Sequence, residues 1–291
     1  MSETTSVSTA ALRSAPEPEW IETSSGHRIP LRRYGVGGRR RPVVMLHGLQ
    51  SHSGWFVQSA RRVAESGFPV YAFDRCGSGV SEEDCDGGPR LIGVLDEIDV
   101  VAERAVEGRE ETSIHLLGHC FGAIPALLYA ALYRPERVAS LALATPALYT
   151  HADVHGRDRL RVIWSVLIRR RALVPVPLMA EQFSELDPFV EFARNDPLAR
   201  KEFPARFLFE IRRARALLPR AVRALRAPTF VAIANDDPIC DNERNLRLLR
   251  QVTAPVEFHE YPGARHILEF SARREEFLED LARWLERQEV G

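Results

Sequence analysis

Lysine is nearly missing from this chain: Lys201 is the only one, and arginine supplies the rest of the positive charge. The 39 Lys and Arg residues balance 40 Asp and Glu to a formal net charge of -1. That balance gives no global attraction to polyanions and excludes nucleic acid as an expected partner. Long apolar runs are missing as well. No stretch approaches the roughly 20 consecutive apolar residues of a membrane span, so no span is expected. The first sixteen residues, Met1 to Pro16, are rich in Ser, Thr and Ala and have neither a basic start nor an apolar segment. They read as a disordered tail and not as a signal peptide, which makes the cytoplasm the expected location. Cysteine is scarce: Cys76, Cys85, Cys120 and Cys240 lie without metal-ligand spacing. No metal and no cofactor is expected, and a reducing compartment would keep all four as thiols.

What remains is ordinary globular material, 291 residues of which 45% are hydrophobic and 27% charged. That length suits one large domain with a single insertion. Alternation around Ser25-Gly26 between Trp20 and Tyr34 predicts a hairpin. Short apolar runs at Val43 to Leu46, Val70 to Phe73, Ile114 to Leu117, Val138 to Ala144, Thr229 to Ala234 and Val256 to Tyr261 predict strands. Helical patterns lie between them at Ser53 to Ser66, Leu95 to Val106, after Gly122 to about Tyr133, and at Ala272 to Gln288. Strand alternating with helix predicts a mostly parallel central sheet flanked by helices. The alternation fails between about Thr150 and Leu225, where the residues are helical in character and no strand is evident. The expected organisation is a tail at 1–16, a core at 17–149, an inserted helical cap at 150–225, and the rest of the core at 226–291. If the cap covers a pocket for an apolar molecule, Trp164, Leu167 and Phe207 are candidate substrate contacts.

The chemistry centres on Gly118-His119-Cys120-Phe121-Gly122, which follows a predicted strand and opens a predicted helix. The turn is so sharp that the residues two places either side of the central one must be small. The pentapeptide has the G-x-nucleophile-x-G form of a nucleophile elbow and so resembles that of the α/β hydrolases, with cysteine where serine usually stands. A helix N-terminus and a neighbouring imidazole both favour the thiolate, the reactive form of cysteine. The fold supplies an acid and then a histidine later in the chain. His266, on the loop after the last strand, is the expected base. The acid should follow Thr229 to Ala234, where Asp236 and Asp237 stand side by side and Asp241 lies a little further on; Asp237 is favoured and Asp236 stays open. Its role is to accept the Nδ1 hydrogen bond of His266 and fix the tautomer. The developing oxyanion needs two backbone N–H donors, expected from Phe121 and Leu49.

From about Trp20 onward the chain resembles the monoacylglycerol lipase and lysophospholipase branch of the α/β hydrolases. The resemblance rests on His47-Gly48-Leu49-Gln50-Ser51-His52-Ser53-Gly54, on Asp74-Arg75-Cys76-Gly77-Ser78-Gly79, on Asn195-Asp196-Pro197-Leu198, and on Asp237 and His266, which fall at the branch's acid and histidine positions. It departs from the branch at Gln50, where glycine is usual, and at Cys120. Some members of the wider family, dienelactone hydrolases among them, use cysteine, so the resemblance implies a working enzyme of altered chemistry. The expected function is cleavage of an ester, thioester or lactone of a fairly apolar small molecule through an S-acyl intermediate, in secondary metabolism. Two alternatives stand beside it. One is a non-hydrolytic enzyme, an acyltransferase, cyclase or carbon–carbon bond-forming catalyst, using the same triad; the other is a ligand-binding protein without turnover.

Overall fold

The structure is a computed structural model that describes residues 15–81, 90–151 and 173–289. Among the described residues ten strands occur in this order: β1 Glu19–Glu22, β2 Arg28–Tyr34, β3 Val43–Leu46, β4 Val70–Phe73, β5 Ile114–His119, β6 Val138–Ala144, β7 Leu173–Pro175, β8 Glu202–Pro204, β9 Thr229–Ala234 and β10 Val256–Tyr261. Eight of them form one sheet in the order β1-β2-β4-β3-β5-β6-β9-β10. The β1–β2 and β2–β4 pairs are antiparallel and every other pair in this sheet is parallel. The hairpin is closed at Gly26, whose φ of +82° suits glycine.

Strands β3, β4, β5 and β9 are buried along their whole length, as parallel strands covered on both faces should be. Alternation divides their side chains between two cores. Val44, Leu46 and Leu116 join one core with the helices α2 (Leu91–Val106), α3 (Ala123–Leu128) and α5 (Ala205–Ala224). Val43, Met45 and Leu117 join the other with α1 (Val57–Glu65) and α7 (Arg274–Gln288). Each fully buried aliphatic or aromatic side chain contributes about 1.5–3 kcal/mol. Two such cores hold the strand ends rigid enough to carry the strained turns described below.

The elements follow the sequence pattern closely, with four differences. The first helix begins as a 3-10 turn at Ser53–Phe56 before α1, and the second starts a turn earlier than its pattern, at Leu91. The elbow helix α3 passes into a π-helical stretch at Tyr129–Tyr133. Between β6 and β9 the described residues are not wholly helical: β7 and β8 form an antiparallel ribbon beside α4 (Asp187–Asn195) and α5. Each ribbon strand has three residues and ends in proline. That is too short for alternation to register, and Val174 pairs with Phe203 across a long separation in sequence. Among the described residues no helix is long and apolar enough to cross a membrane.

The parallel strands share one direction, so their C-terminal ends lie along one edge of the sheet, where ligands of open α/β folds gather. His47, Cys120, Thr145 and Asp237 all follow or end strands at that edge, and His266 lies beyond β10.

Candidate active site

Cys120 sits at the end of β5 with φ +52°, a conformation that non-glycine side chains rarely adopt. The flanking glycines explain how the turn is possible. A Cβ on Gly118 would lie 2.6 Å from the Gly122 carbonyl oxygen and 2.8 Å from Ala123. A Cβ on Gly122 would lie 2.8 Å from the carbonyl oxygens of both Leu46 and His47. The elbow is therefore wedged against the end of β3, and the strain fixes where the thiol points. The backbone N–H groups of Leu49 and Phe121 lie near enough to the sulfur to favour its thiolate. Both belong to the two loops from which oxyanion donors are expected.

His266 and Asp237 meet through a 2.8 Å hydrogen bond from Nδ1 to Oδ2, with both side chains inaccessible to solvent. The other Asp237 oxygen, Oδ1, accepts the N–H groups of Ile239 and Cys240 at 2.8 and 3.0 Å. This turns Asp237 inward while Asp236 points to solvent. Asp241 has a different task, capping α6 (Asn242–Leu249) by accepting from Arg244 N–H. Of the three candidate acids, the structure brings only Asp237 to His266.

The electrostatics favour an ion pair. Burial opposes ionisation of Asp237, but the His266 charge and three hydrogen bonds hold its carboxyl below the usual range. Burial likewise disfavours a charged His266, yet Asp237 and the two nearby thiol sulfurs raise it well above the ordinary histidine value. For Cys120 burial pushes the thiol up, and the His266 charge, its proximity and the Leu49 and Phe121 N–H groups outweigh that and lower it. His266 Nε2 makes no aligned hydrogen bond in this geometry, although His266 is the main influence favouring the thiolate. Apo sites often align fully only with substrate in place.

The loop after β3 is tied down on every side. His47 Nε2 accepts the Arg75 N–H at 3.1 Å, so the ring proton sits on Nδ1, which donates to Gly48 O at 2.8 Å. Burial and the Arg75 charge keep His47 neutral. Gly48 N–H donates to Ser51 Oγ at 2.9 Å. Gln50, where the sequence departs from the pattern it resembles, donates from Nε2 to Val176 O at 3.2 Å, and its own carbonyl accepts Arg200 N–H at 2.9 Å. His52 Nε2 lies 2.9 Å from Asp196 Oδ2, which also accepts from Trp55 Nε1. Behind the loop, buried Asp74 accepts Ser53 N–H at 2.7 Å and Val80 N–H at 3.1 Å. Gly79 has φ +58°, and a Cβ there would fall 2.3 Å from Asp74 Oδ2, which explains the glycine after this aspartate.

A cavity with about 410 Å³ of non-atom space, its mouth included, opens onto Cys120 and His266. Its wall is mostly apolar, with Trp55, Phe56, Leu178, Phe183, Ile267 and Leu268 prominent. Leu178 and Phe183 come from the inserted segment. Phe207, an expected substrate contact, does not line the cavity. It is buried against Phe121, 5.5 Å between ring centroids, and under Arg75. Its position on an apolar helix face fits either location, and packing decides for the core. Trp164 and Leu167 lie outside the described residues.

Three residues near the site were not foreseen. Thr145, on the cavity wall, has φ +43°, an outlying value for a β-branched residue. Cys240, three residues after Asp237, places Sγ 3.7 Å from His266 Nδ1. Burial first, and then the Asp237 charge, raise its thiol, so it stays protonated. Arg75, fully buried, lies against the loop after β3. Cys76 also differs from expectation, being disulfide-bonded and not a free thiol. Among the described residues, one group of side chains has donors clustered as a metal would require: Asp237, Cys240 and His266, within 4.8 Å of one another. In this structure Asp237 Oδ2 and His266 Nδ1 hydrogen-bond to each other, and the Cys240 thiol donates to Thr145 O at 3.5 Å.

The sequence and structure have known counterparts. The family model Hydrolase_4, described as "Serine aminopeptidase, S33", matches residues 37–271. A proline iminopeptidase of Clostridioides difficile (strain 630) is 31% identical over 109 residues, 36% of this chain and 35% of that protein. Monoglyceride lipase of Homo sapiens is 24% identical over 248 residues, 80% of this chain and 77% of that one. The crystal structure of the Paleococcus ferrophilus monoacylglycerol lipase superposes with a TM-score of 0.80 at 21% identity, over 89% of this chain and 99% of that chain. That likeness shows the fold. The chain spans 12%, 35% and 36% of the length of three curated relatives that are 31–33% identical to it.

Proposed function

Because the chain belongs to the Hydrolase_4 family of α/β hydrolases, we propose that it cleaves an ester, thioester or lactone of a fairly apolar small molecule through an S-acyl intermediate on Cys120. The observation that carries this reading is the setting of one sulfur. Cys120 Sγ stands at a strained elbow, with two backbone N–H groups on it and a buried, Asp237-held imidazole beside it.

In the first half-reaction the Cys120 thiolate attacks the acyl carbon. The carbonyl π pair moves onto oxygen, which takes the place the sulfur lone pair now has before the Leu49 and Phe121 N–H groups. The tetrahedral adduct collapses as the C–O or C–S bond to the leaving group breaks, and His266 Nε2–H gives that group its proton. In the second half-reaction His266, now neutral, takes a proton from water, the hydroxide oxygen bonds to the acyl carbon, and the thiolate leaves. A hydroxyl, amine or thiol in place of water makes the same chemistry an acyl transfer. Attack on an alkyl ester is disfavoured because its alkoxide leaves less readily than the attacking thiolate. Thioesters, lactones and activated esters suit the site better. The apolar wall formed by Trp55, Phe56, Phe183 and Ile267 fits a hydrocarbon acyl portion. This chemistry supports a specialised role in secondary metabolism over bulk lipid breakdown.

The test is turnover of a panel of p-nitrophenyl esters, acyl thioesters and lactones by wild type, Cys120→Ser, Cys120→Ala and His266→Ala. Wild type should turn over activated substrates with medium apolar acyl groups, and Cys120→Ala should not. Equal activity in wild type and Cys120→Ala rejects the reading. Sustained release of the leaving group only when a second acceptor is supplied, with the acyl group recovered on that acceptor and no free acid, replaces hydrolysis with transfer.

A further inference from the structure

The two oxyanion donors are not equivalent. The Leu49 N–H belongs to the peptide whose carbonyl oxygen is that of Gly48, and this oxygen accepts two further hydrogen bonds. One comes from His47 Nδ1 at 2.8 Å and one from Arg75 Nη2 at 2.7 Å. Arg75 Nη2 also reaches Leu49 O at 3.3 Å, so one guanidinium bridges successive carbonyls of the loop. Its plane is held by aromatic faces, 4.9 Å from the Phe121 ring and 5.9 Å from the Phe207 ring. Phe121 carries the second donor, so Arg75 touches both halves of the oxyanion site.

The cost of placing this arginine indicates that it has a use. Arg75 is 0% exposed, and among the described residues its Nε and Nη1 have no hydrogen-bond partner. Among the described residues no carboxylate forms an ion pair with it. Glu97 lies near enough to act electrostatically, but its Oε1 accepts the Cys76 N–H and its Oε2 has no partner among the described residues. Burying a charge without a direct counterion is expensive. Among the described residues the guanidinium's hydrogen bonds go to the Gly48 and Leu49 carbonyls.

We propose that Arg75 is a positioning residue that, together with His47, polarises the Gly48–Leu49 peptide and so aims and strengthens the Leu49 N–H that receives the oxyanion. Hydrogen bonds at an amide oxygen draw electron density toward it and leave the N–H a stronger donor; such cooperativity is worth about 10–30% per bond, and charged donors are roughly twice as strong as neutral ones. The backbone Arg75 N–H supports the same end, because it holds His47 in the tautomer that donates to Gly48 O. The charge sits on the far side of the peptide from the reacting carbonyl and needs no contact with substrate.

This inference rests on Cys120 forming an S-acyl enzyme, and the experiment separates the two. Wild type, Arg75→Met and Arg75→Lys are acylated with a ¹³C=O-labelled p-nitrophenyl ester, and adduct formation is checked by intact mass. The acyl C=O stretch is then read by isotope-edited infrared difference spectroscopy, since stronger oxyanion donors lower it. If wild type forms no adduct, the S-acyl reading fails. Given an adduct, Arg75→Met should move the stretch toward that of the free thioester and lower kcat about 10-fold with little change in KM, a fraction of the 10²–10³ cost of losing a donor outright. Arg75→Lys keeps the charge without the planar fork and should give a smaller change in the same direction. An unaltered stretch in whichever variant folds overturns the proposal, because a merely structural arginine lowers stability without changing the carbonyl frequency.

Discussion

Replacing Asp237 by asparagine probes the ion pair through its least accessible member. The carboxylate is fixed by division of labour: Oδ1 accepts the Ile239 and Cys240 N–H groups at 2.8 and 3.0 Å, and Oδ2 faces His266 Nδ1 at 2.8 Å. Asparagine has one acceptor oxygen, and two N–H donors already claim that position. Its NH₂ group is then left facing Nδ1, donor against donor. His266 relieves the clash by moving its proton to Nε2, the nitrogen that should accept the thiol proton. The imidazolium also loses its anion at a pair whose side chains are both buried, where salt screens little. A hydrogen bond to a charged group is worth about 1.5–3 kcal/mol, which corresponds to about 10- to 150-fold in the population of the thiolate–imidazolium pair. The assay is the pH dependence of Cys120 alkylation by iodoacetamide, followed on the Cys120 peptide by mass spectrometry. Because the wild-type thiol is lowered and His266 raised, wild type should alkylate readily well below the ordinary thiol range. Asp237→Asn should be slower by the factor given, with the rate profile displaced to higher pH. A variant that alkylates as fast as wild type in mildly acidic solution refutes the assignment of Asp237 as the support of the pair.

Other expectations follow from the same geometry. Gly122→Ala drives a methyl to within 2.8 Å of two backbone carbonyl oxygens and should lower stability by about 1–3 kcal/mol or more, read as a lower denaturant midpoint. Glu269 is buried beneath α1, accepting the Gln58 and Ser59 N–H groups, and burial pushes its carboxyl up to about 8. A carboxyl raised on folding costs nothing while protonated and costs progressively more as pH climbs from the unfolded value through the folded one. Stability should therefore fall between pH 4.5 and about 8, and Glu269→Gln should flatten that fall in pH-resolved thermal melts. Asp196→Ala removes the shared acceptor of His52 and Trp55; it should loosen the inserted segment from the loop after β3 and raise KM more than it lowers kcat.

The parts of the site that were legible in the sequence are those fixed by sterics and chain order. Gly118 and Gly122 are required by contacts under 3 Å, and such a constraint leaves its mark on spacing alone. His266 is legible because it follows the last strand. Asp236 and Asp237 differ in nothing that spacing records; the N–H groups of Ile239 and Cys240 select between them, and these act only once the loop has turned. Phe207 was misplaced for a related reason: an apolar helix face fits a cavity wall and a core equally well, and Phe121 and Arg75 decide the matter. Arg75 itself gave no signal. An arginine beside an aspartate in a loop reads as solvent-exposed, and its burial depends on Phe121 and Phe207, far away in sequence. The β7–β8 ribbon escaped notice because its two three-residue strands pair across a long intervening segment.

The central claim is that the acyl group is carried on the Cys120 sulfur, and its most direct test is peptide mapping of a reaction with an activated medium-chain thioester, quenched in acid before turnover. The account predicts the acyl mass on the peptide containing Cys120, absent from Cys120→Ala, with Cys240 unmodified because its thiol is buried and raised. Product formation with no acylated Cys120 at any quench time, or the acyl mass on another residue, contradicts it.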